Sequence, residues 1–249
     1  MLFIGIGAIL TIIFGSTAYS LSNSYASQYV FDDSTTKALI NTLISGSICA
    51  FIIMPISFLL AKFIHKNSKD NIISRIINTI KTLNNGVPSL THGLVAYFVI
   101  VEIFKFRNSH ANNLSMFAGI IAFIFLLTPF MINHWNKYFE GTNSERKVLK
   151  NEYIRKLLLN FASAYFLIMA CFVAETSAFL LTVGNSFSGS FSLLEPQQTL
   201  TTRMMYLLEE GNSYAYIEIV KSGIAAILLS LLFNTSNYYL QYFIDKKYS

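Results

Sequence analysis

The chain has 249 residues, of which 53% are apolar and only 12% charged. Soluble domains carry about 25% charged residues, so the composition excludes an ordinary soluble, coiled-coil or disordered protein. The 18 Lys and Arg against 13 Asp and Glu would draw a soluble chain toward nucleic acid. At a mean hydropathy of +0.50 the excess is read by its place in the loops instead, and the lipid bilayer, not nucleic acid, is the expected partner.

The expected fold is all-α: a polytopic bundle of about six transmembrane helices in a single domain over residues 1–249, with one cytoplasmic interfacial helix and one outer-side helix. Spans are expected at about 2–20, 38–61, 88–106, 114–134, 157–183 and 215–235. The first apolar run, Leu2 to Phe14, lacks the cationic segment of a signal peptide, although Ala18-Tyr19-Ser20 would suit cleavage. It is therefore read as the first span. Gly7, Thr11 and Gly15 within it have small-xxx-small spacing, which lets helix backbones approach closely.

After the second span, Ile72, Ile73, Ile76, Ile77, Ile80 and Leu83 recur every three or four residues, with Lys69, Arg75 and Lys81 among them. The pattern predicts a helix over 71–85, lying in the cytoplasmic interface or packed on the bundle end. The third span carries Glu102. The fourth carries Ser115, Gly119 and Ala122, a second small-residue face for helix packing. Pro55 and Pro129 lie inside the second and fourth spans.

Thr142 and Glu145 have capping-box spacing and predict that the fifth helix starts before the membrane. Pro196 predicts the first turn of an outer helix that runs to Glu210 and stops at Gly211, with Leu200, Met204, Leu207 and Leu208 as its apolar stripe. Tyr238, Tyr239, Tyr242 and Phe243 follow the last span as an interfacial anchor.

Lys and Arg set the orientation. Lys62, Lys66, Lys69, Arg75 and Lys81 follow the second span; Lys137, Arg146, Lys147, Lys150, Arg155 and Lys156 follow the fourth; Lys246 and Lys247 lie in the tail. These loops should face the cytoplasm, which puts both termini there. Asp32, Asp33, Glu195, Glu209 and Glu210 fall on the other side, as do Lys105 and Arg107.

Charges inside hydrocarbon are costly, which makes Glu102, Glu175, Glu218 and Lys221 the candidate polar site. Counted from the span centres, all four lie about 6–10 Å outward of the midplane. Glu218, Lys221, Ser222, Ala225 and Leu229 share one helix face, and Asn160, Ala164, Cys171, Glu175, Ala178 and Thr182 line another. One reading is a proton- or cation-coupled pathway in which Glu175 changes protonation against Lys221; the other is a buried ion pair that fixes helix register.

No enzyme, cofactor or metal is expected. The histidines, His65, His92, His110 and His134, sit near span ends without partners at metal-ligand spacing, and Cys49 and Cys171 lie within apolar runs. Gly184-Asn-Ser186-Phe-Ser188-Gly189 lacks the spacing of a nucleophile elbow, and no Walker loop or dinucleotide glycine motif occurs.

The expected function is an integral membrane transport protein: a small carrier, channel or permease subunit. The alternative is a non-catalytic structural or assembly subunit of a larger membrane complex. Partners would be other membrane subunits, or a soluble cytoplasmic protein landing on the basic loops. Six spans with a cytoplasmic helical loop after the second and an outer helix before the sixth resemble the layout of some exporter-type ABC permeases.

Overall fold

In a computed structural model the chain is described over residues 33–67, 72–106, 114–143, 150–175, 177–184, 191–211 and 213–248, and all regular structure among them is helical. The expected first span, with Gly7, Thr11 and Gly15, lies outside the described residues, as do Asp32, Arg107, His110 and Glu145. The helices are α1 (Asp33–Lys66), α2 (Ile72–Asn85), α3 (Ser89–Ala96, continued by a π-helical segment Tyr97–Ile103), α4 (Met116–Asn143), α5 (Lys150–Ala174), α6 (Ser177–Thr182), α7 (Leu200–Glu210) and α8 (Ser213–Tyr248).

Four of them, α1, α4, α5 and α8, are long and apolar enough to cross a membrane. Their 25 to 36 residues exceed the roughly 20 a bilayer needs, so α1 and α8 project past the hydrocarbon. The protein is an integral, multi-pass, all-helical membrane protein. Helices run uninterrupted through Pro55 and Pro129. Thr142 falls within the last turn of α4, and its expected capping partner Glu145 lies outside the described residues.

Side-chain bonds fix the directions of the helices. Trp135 Nε1 in α4 donates to Ser57 Oγ in α1 at 3.0 Å, and Cys49 lies against the Ile120 carbonyl, so α1 and α4 run in parallel. The Ser47 and Tyr165 hydroxyls meet at 3.0 Å, and Gly46 abuts Met169 and Phe172, so α5 runs against α1. Ser163 Oγ donates to Asn237 Oδ1 at 2.6 Å, which pins α5 to α8. Consequently Asp33, Met116, Ala174 and Ser213 gather at one end of the bundle. The other end carries Lys62, Lys66, Lys137, Arg155, Lys156, Lys246 and Lys247.

The main core lies between α1, α4 and α5. Trp135, fully buried, has the rings of Phe161 and Phe58 at 4.7 and 5.1 Å between centroids, the distances at which tilted and edge-on aromatic pairs attract. In hydrocarbon such packing supplies what the hydrophobic effect supplies in water.

The expected fifth span, 157–183, is not one helix. α5 ends at Ala174 and a separate short helix, α6, begins at Ser177, because the Glu175 carboxylate turns to serve the new helix's amide instead of lying in an unbroken span. α6 packs into the crevice between α3 and α4, where Ala96, Ala122 and Ala178 form a cluster of methyl groups. A Cβ on Gly93 would lie 2.6 Å from the Ala178 carbonyl oxygen, and one on Gly119 would lie 2.2 Å from Val183 Cγ2. The helix-packing expectation for Gly119 and Ala122 is thereby given a partner, α6. Ser115 instead caps α4 by accepting from the Ala118 amide at 3.1 Å.

Gly93→Ala should destabilise the bundle by about 1–3 kcal/mol, since a backbone carbonyl cannot yield as a side chain can. Gly223→Ala, whose Cβ would meet only Met204 Sδ at 3.5 Å, should show no loss. Thermal unfolding of the two variants in detergent checks this.

Candidate functional site

α7 begins four residues later than Pro196 predicts. Thr199 caps it: its side chain accepts from the Thr202 amide while the Thr202 hydroxyl accepts from the Thr199 amide, a reciprocal box that decides where the helix starts. Gly211, at φ 63°, ends it as expected. Nor does α7 lie over the bundle mouth as an outer lid. Leu200, Thr201, Thr202, Arg203 and Leu207 are all buried, wedged between α1 and α8.

That insertion carries Arg203 into the protein, where it is 2% exposed. Its Nε donates to Thr35 Oγ1 of α1 at 2.8 Å, and the Thr35 hydroxyl donates to Glu218 Oε2 of α8 at 3.1 Å. Lys221, one turn further along α8, meets Glu218 Oε1 at 2.7 Å. Cation, hydroxyl, carboxylate and second cation thus form one chain of bonds across three helices. The polarity is consistent throughout, because only a hydroxyl can accept from the guanidinium and donate to the carboxylate at the same atom. Ser222, buried beside Glu218 on α8, has no hydrogen-bond partner for its Oγ among the described residues.

Below this chain the loop before α7 is stitched to α1. Asn41 Nδ2 donates to Gln197 Oε1 at 3.0 Å and to the Gln198 carbonyl at 3.2 Å, and the Leu200 amide donates to Thr42 Oγ1 at 3.0 Å. Gln197, Gln198 and Thr199 are all buried. In a membrane bundle, non-helical backbone at this depth is stable only where protein groups satisfy it. These bonds explain why a polar run, Gln-Gln-Thr-Leu-Thr-Thr-Arg, sits inside.

The four charges expected to form one site are divided. Glu218 and Lys221 come together, and Glu218 is 1% exposed. Glu175 is held elsewhere: its Oε1 accepts from Ser177 Oγ at 3.0 Å and from the Ala178 amide at 3.1 Å, the geometry of a helix cap. Only its backbone reaches the buried cluster, through a 3.0 Å bond from Thr201 Oγ1 to the Glu175 carbonyl. Glu102 lies in the π-helical segment, where Tyr97 donates its hydroxyl to Oε1 at 2.8 Å. The wider π turn brings residues five apart onto one face, which is the spacing of this pair. Equal depth along their helices did not bring these carboxylates together, because depth says nothing about which way each face turns.

Arg203 is the residue that sequence reasoning missed. Among the described residues, no three of His, Cys, Asp and Glu gather closely enough to hold a metal ion.

The chain is similar to two curated proteins. It is 26% identical over 238 residues to the phosphate transport system permease protein PstA homolog of Mycoplasma genitalium, covering 90% of this chain. It is 27% identical over 248 residues to the protein of the same name from Mycoplasma pneumoniae, covering 94%. The chain spans only 36% and 38% of the length of these two relatives. Both names are those of transport permeases, not enzymes. No family model matches the chain, and no solved structure does.

Glu175→Ala should cost about 1 kcal/mol through loss of the α6 cap, whereas Glu175→Gln, which keeps an acceptor oxygen, should stay near the parent. Thermal unfolding of the two purified variants separates a capping carboxylate from one needed in its charged form.

Proposed function

We propose that this chain is the membrane-spanning part of a transport permease, and that the chain of bonds from Arg203 through Thr35 and Glu218 to Lys221 is its substrate-facing polar site. The observation that carries the reading is the burial of an Arg and a Glu, tied to a Lys, where three separate helices meet. Charged side chains are tolerated inside membrane bundles chiefly along the paths of ions and polar substrates.

The substrate is phosphate, the ion in the names of both relatives. The chemistry suits it. Arg203 and Lys221 bring two cations to the single carboxylate of Glu218, and a planar guanidinium beside a compact ammonium is matched to a tetrahedral oxyanion. Phosphate competes with Glu218 for Lys221 and with the Thr35 hydroxyl for Arg203, so the bonds that join α1, α7 and α8 loosen as the ion enters.

The basic end of the bundle faces the cytoplasm by the excess of Lys and Arg there, which sets the polar site toward the opposite side and the last turn of α8, with Lys246 and Lys247, inside the cell. The permease works with other membrane subunits, and the cytoplasmic lysines and arginines receive a soluble partner. The similarity to permeases favours transport over a purely structural subunit.

Uptake of radiolabelled phosphate by cells relying on this protein tests the reading. Arg203→Gln should lower uptake at least about tenfold per molecule of folded protein in the membrane, an effect of about 1.4 kcal/mol or more on the transport barrier beyond any loss of abundance. Lys37→Gln, which removes an exposed cation near the same end of α1 but outside the bonded chain, should leave uptake intact. Full uptake by the Arg203 variant would refute the proposed site.

A further inference from the structure

α2 packs against α1 and α4 at the basic end of the bundle, and its residues divide into three sectors. At about 100° per residue, Ser74 and Ile77 lie about 60° apart on the side turned to the protein. Ser74 is 2% exposed, and Ile77 packs on the core that contains Ala61, Tyr138 and Phe139. Ile72, Ile76 and Ile80 span about 80° on a different side and are 72%, 52% and 56% exposed. Arg75, Thr79 and Thr82, all exposed, span about 60° in a third direction between them.

A helix resting on a bundle in water would need two sectors, one for the protein and one for solvent. A separate, exposed stripe of three isoleucines has no place in that arrangement. It has one where a third medium is present. α2 begins at Ile72, six positions after α1 ends at Lys66, and packs on both α1 and α4, which keeps it at the level where membrane-crossing helices leave the hydrocarbon. Lys62 and Lys66 of α1 are exposed at the same end, so the surroundings are cationic and complement lipid phosphates.

We infer that α2 lies in the headgroup–acyl boundary of the bilayer, with Ile72, Ile76 and Ile80 seated on acyl chains and Arg75 at the level of the lipid phosphates. The isoleucines bury apolar surface in lipid, the threonine edge stays in water, and the helix moors the end of α1 to the membrane plane. This does not depend on what the protein transports.

Spin labels test it on the full protein reconstituted into phosphatidylcholine–phosphatidylglycerol vesicles, in a background carrying Cys49→Ala and Cys171→Ala. Labels are placed by Ile76→Cys and, separately, Thr82→Cys, about 120° apart around the helix. Because both sites are exposed, neither label should disturb packing. The label at 76 should collide several-fold more with oxygen, which concentrates in lipid, than with a water-soluble nickel chelate, and the label at 82 should show the reverse. Two results would overturn the inference: equal chelate access at both positions, which places the stripe in water, or a label at 76 shielded from both reagents, which places a protein partner or second copy there.

Discussion

Burying Arg203 and Glu218 inside a membrane bundle is the constraint from which the arrangement of this end of the molecule follows. Either charge alone would be very costly away from water, and removing one partner of a buried pair typically costs about 3–5 kcal/mol. The two do not touch directly. Thr35 stands between them, and this places a demand on three helices at once: α1 must bring its hydroxyl, α7 its guanidinium and α8 its carboxylate to within hydrogen-bond reach. The stitching of the preceding loop to Asn41 and Thr42 holds α7 at the depth where that is met.

The same logic explains the break at Glu175. An unbroken span would leave a carboxylate with no donor in the middle of an apolar helix. Ending α5 at Ala174 gives that carboxylate the amide of Ala178 and the hydroxyl of Ser177, and frees α6 to fill the crevice against Gly93 and Gly119. Polar satisfaction thus shapes the backbone, and small residues accommodate the result.

Much of the fold was legible in the sequence because membrane spans are written in local composition. The apolar stretches of α1, α4 and α8, the isoleucine periodicity of α2, the stop at Gly211 and the helix face shared by Glu218 and Lys221 all depend on near neighbours, whereas the bond of Lys221 to Glu218 rather than Glu175 came only with the structure. Arg203 was not legible. Its bond to Thr35 spans 168 positions and that of Thr35 to Glu218 spans 183, and nothing local distinguishes a buried arginine in a threonine-rich run from one on an outer surface. The break at Glu175 left a signal that could have been read: Glu175-Thr176-Ser177 is a polar triplet ahead of a further apolar run, the pattern of a helix start. The π-helical segment around Glu102 left none, since a turn widened by one residue alters spacing without altering composition.

The most direct measurement of the central claim is a double-mutant cycle between Arg203→Gln and Glu218→Gln, read as thermal stability of the purified protein. The two changes together should cost clearly less than the sum of each alone, because each single change strands a buried charge that the second removes. Strictly additive losses would contradict it and would mean that Arg203 and Glu218 act independently.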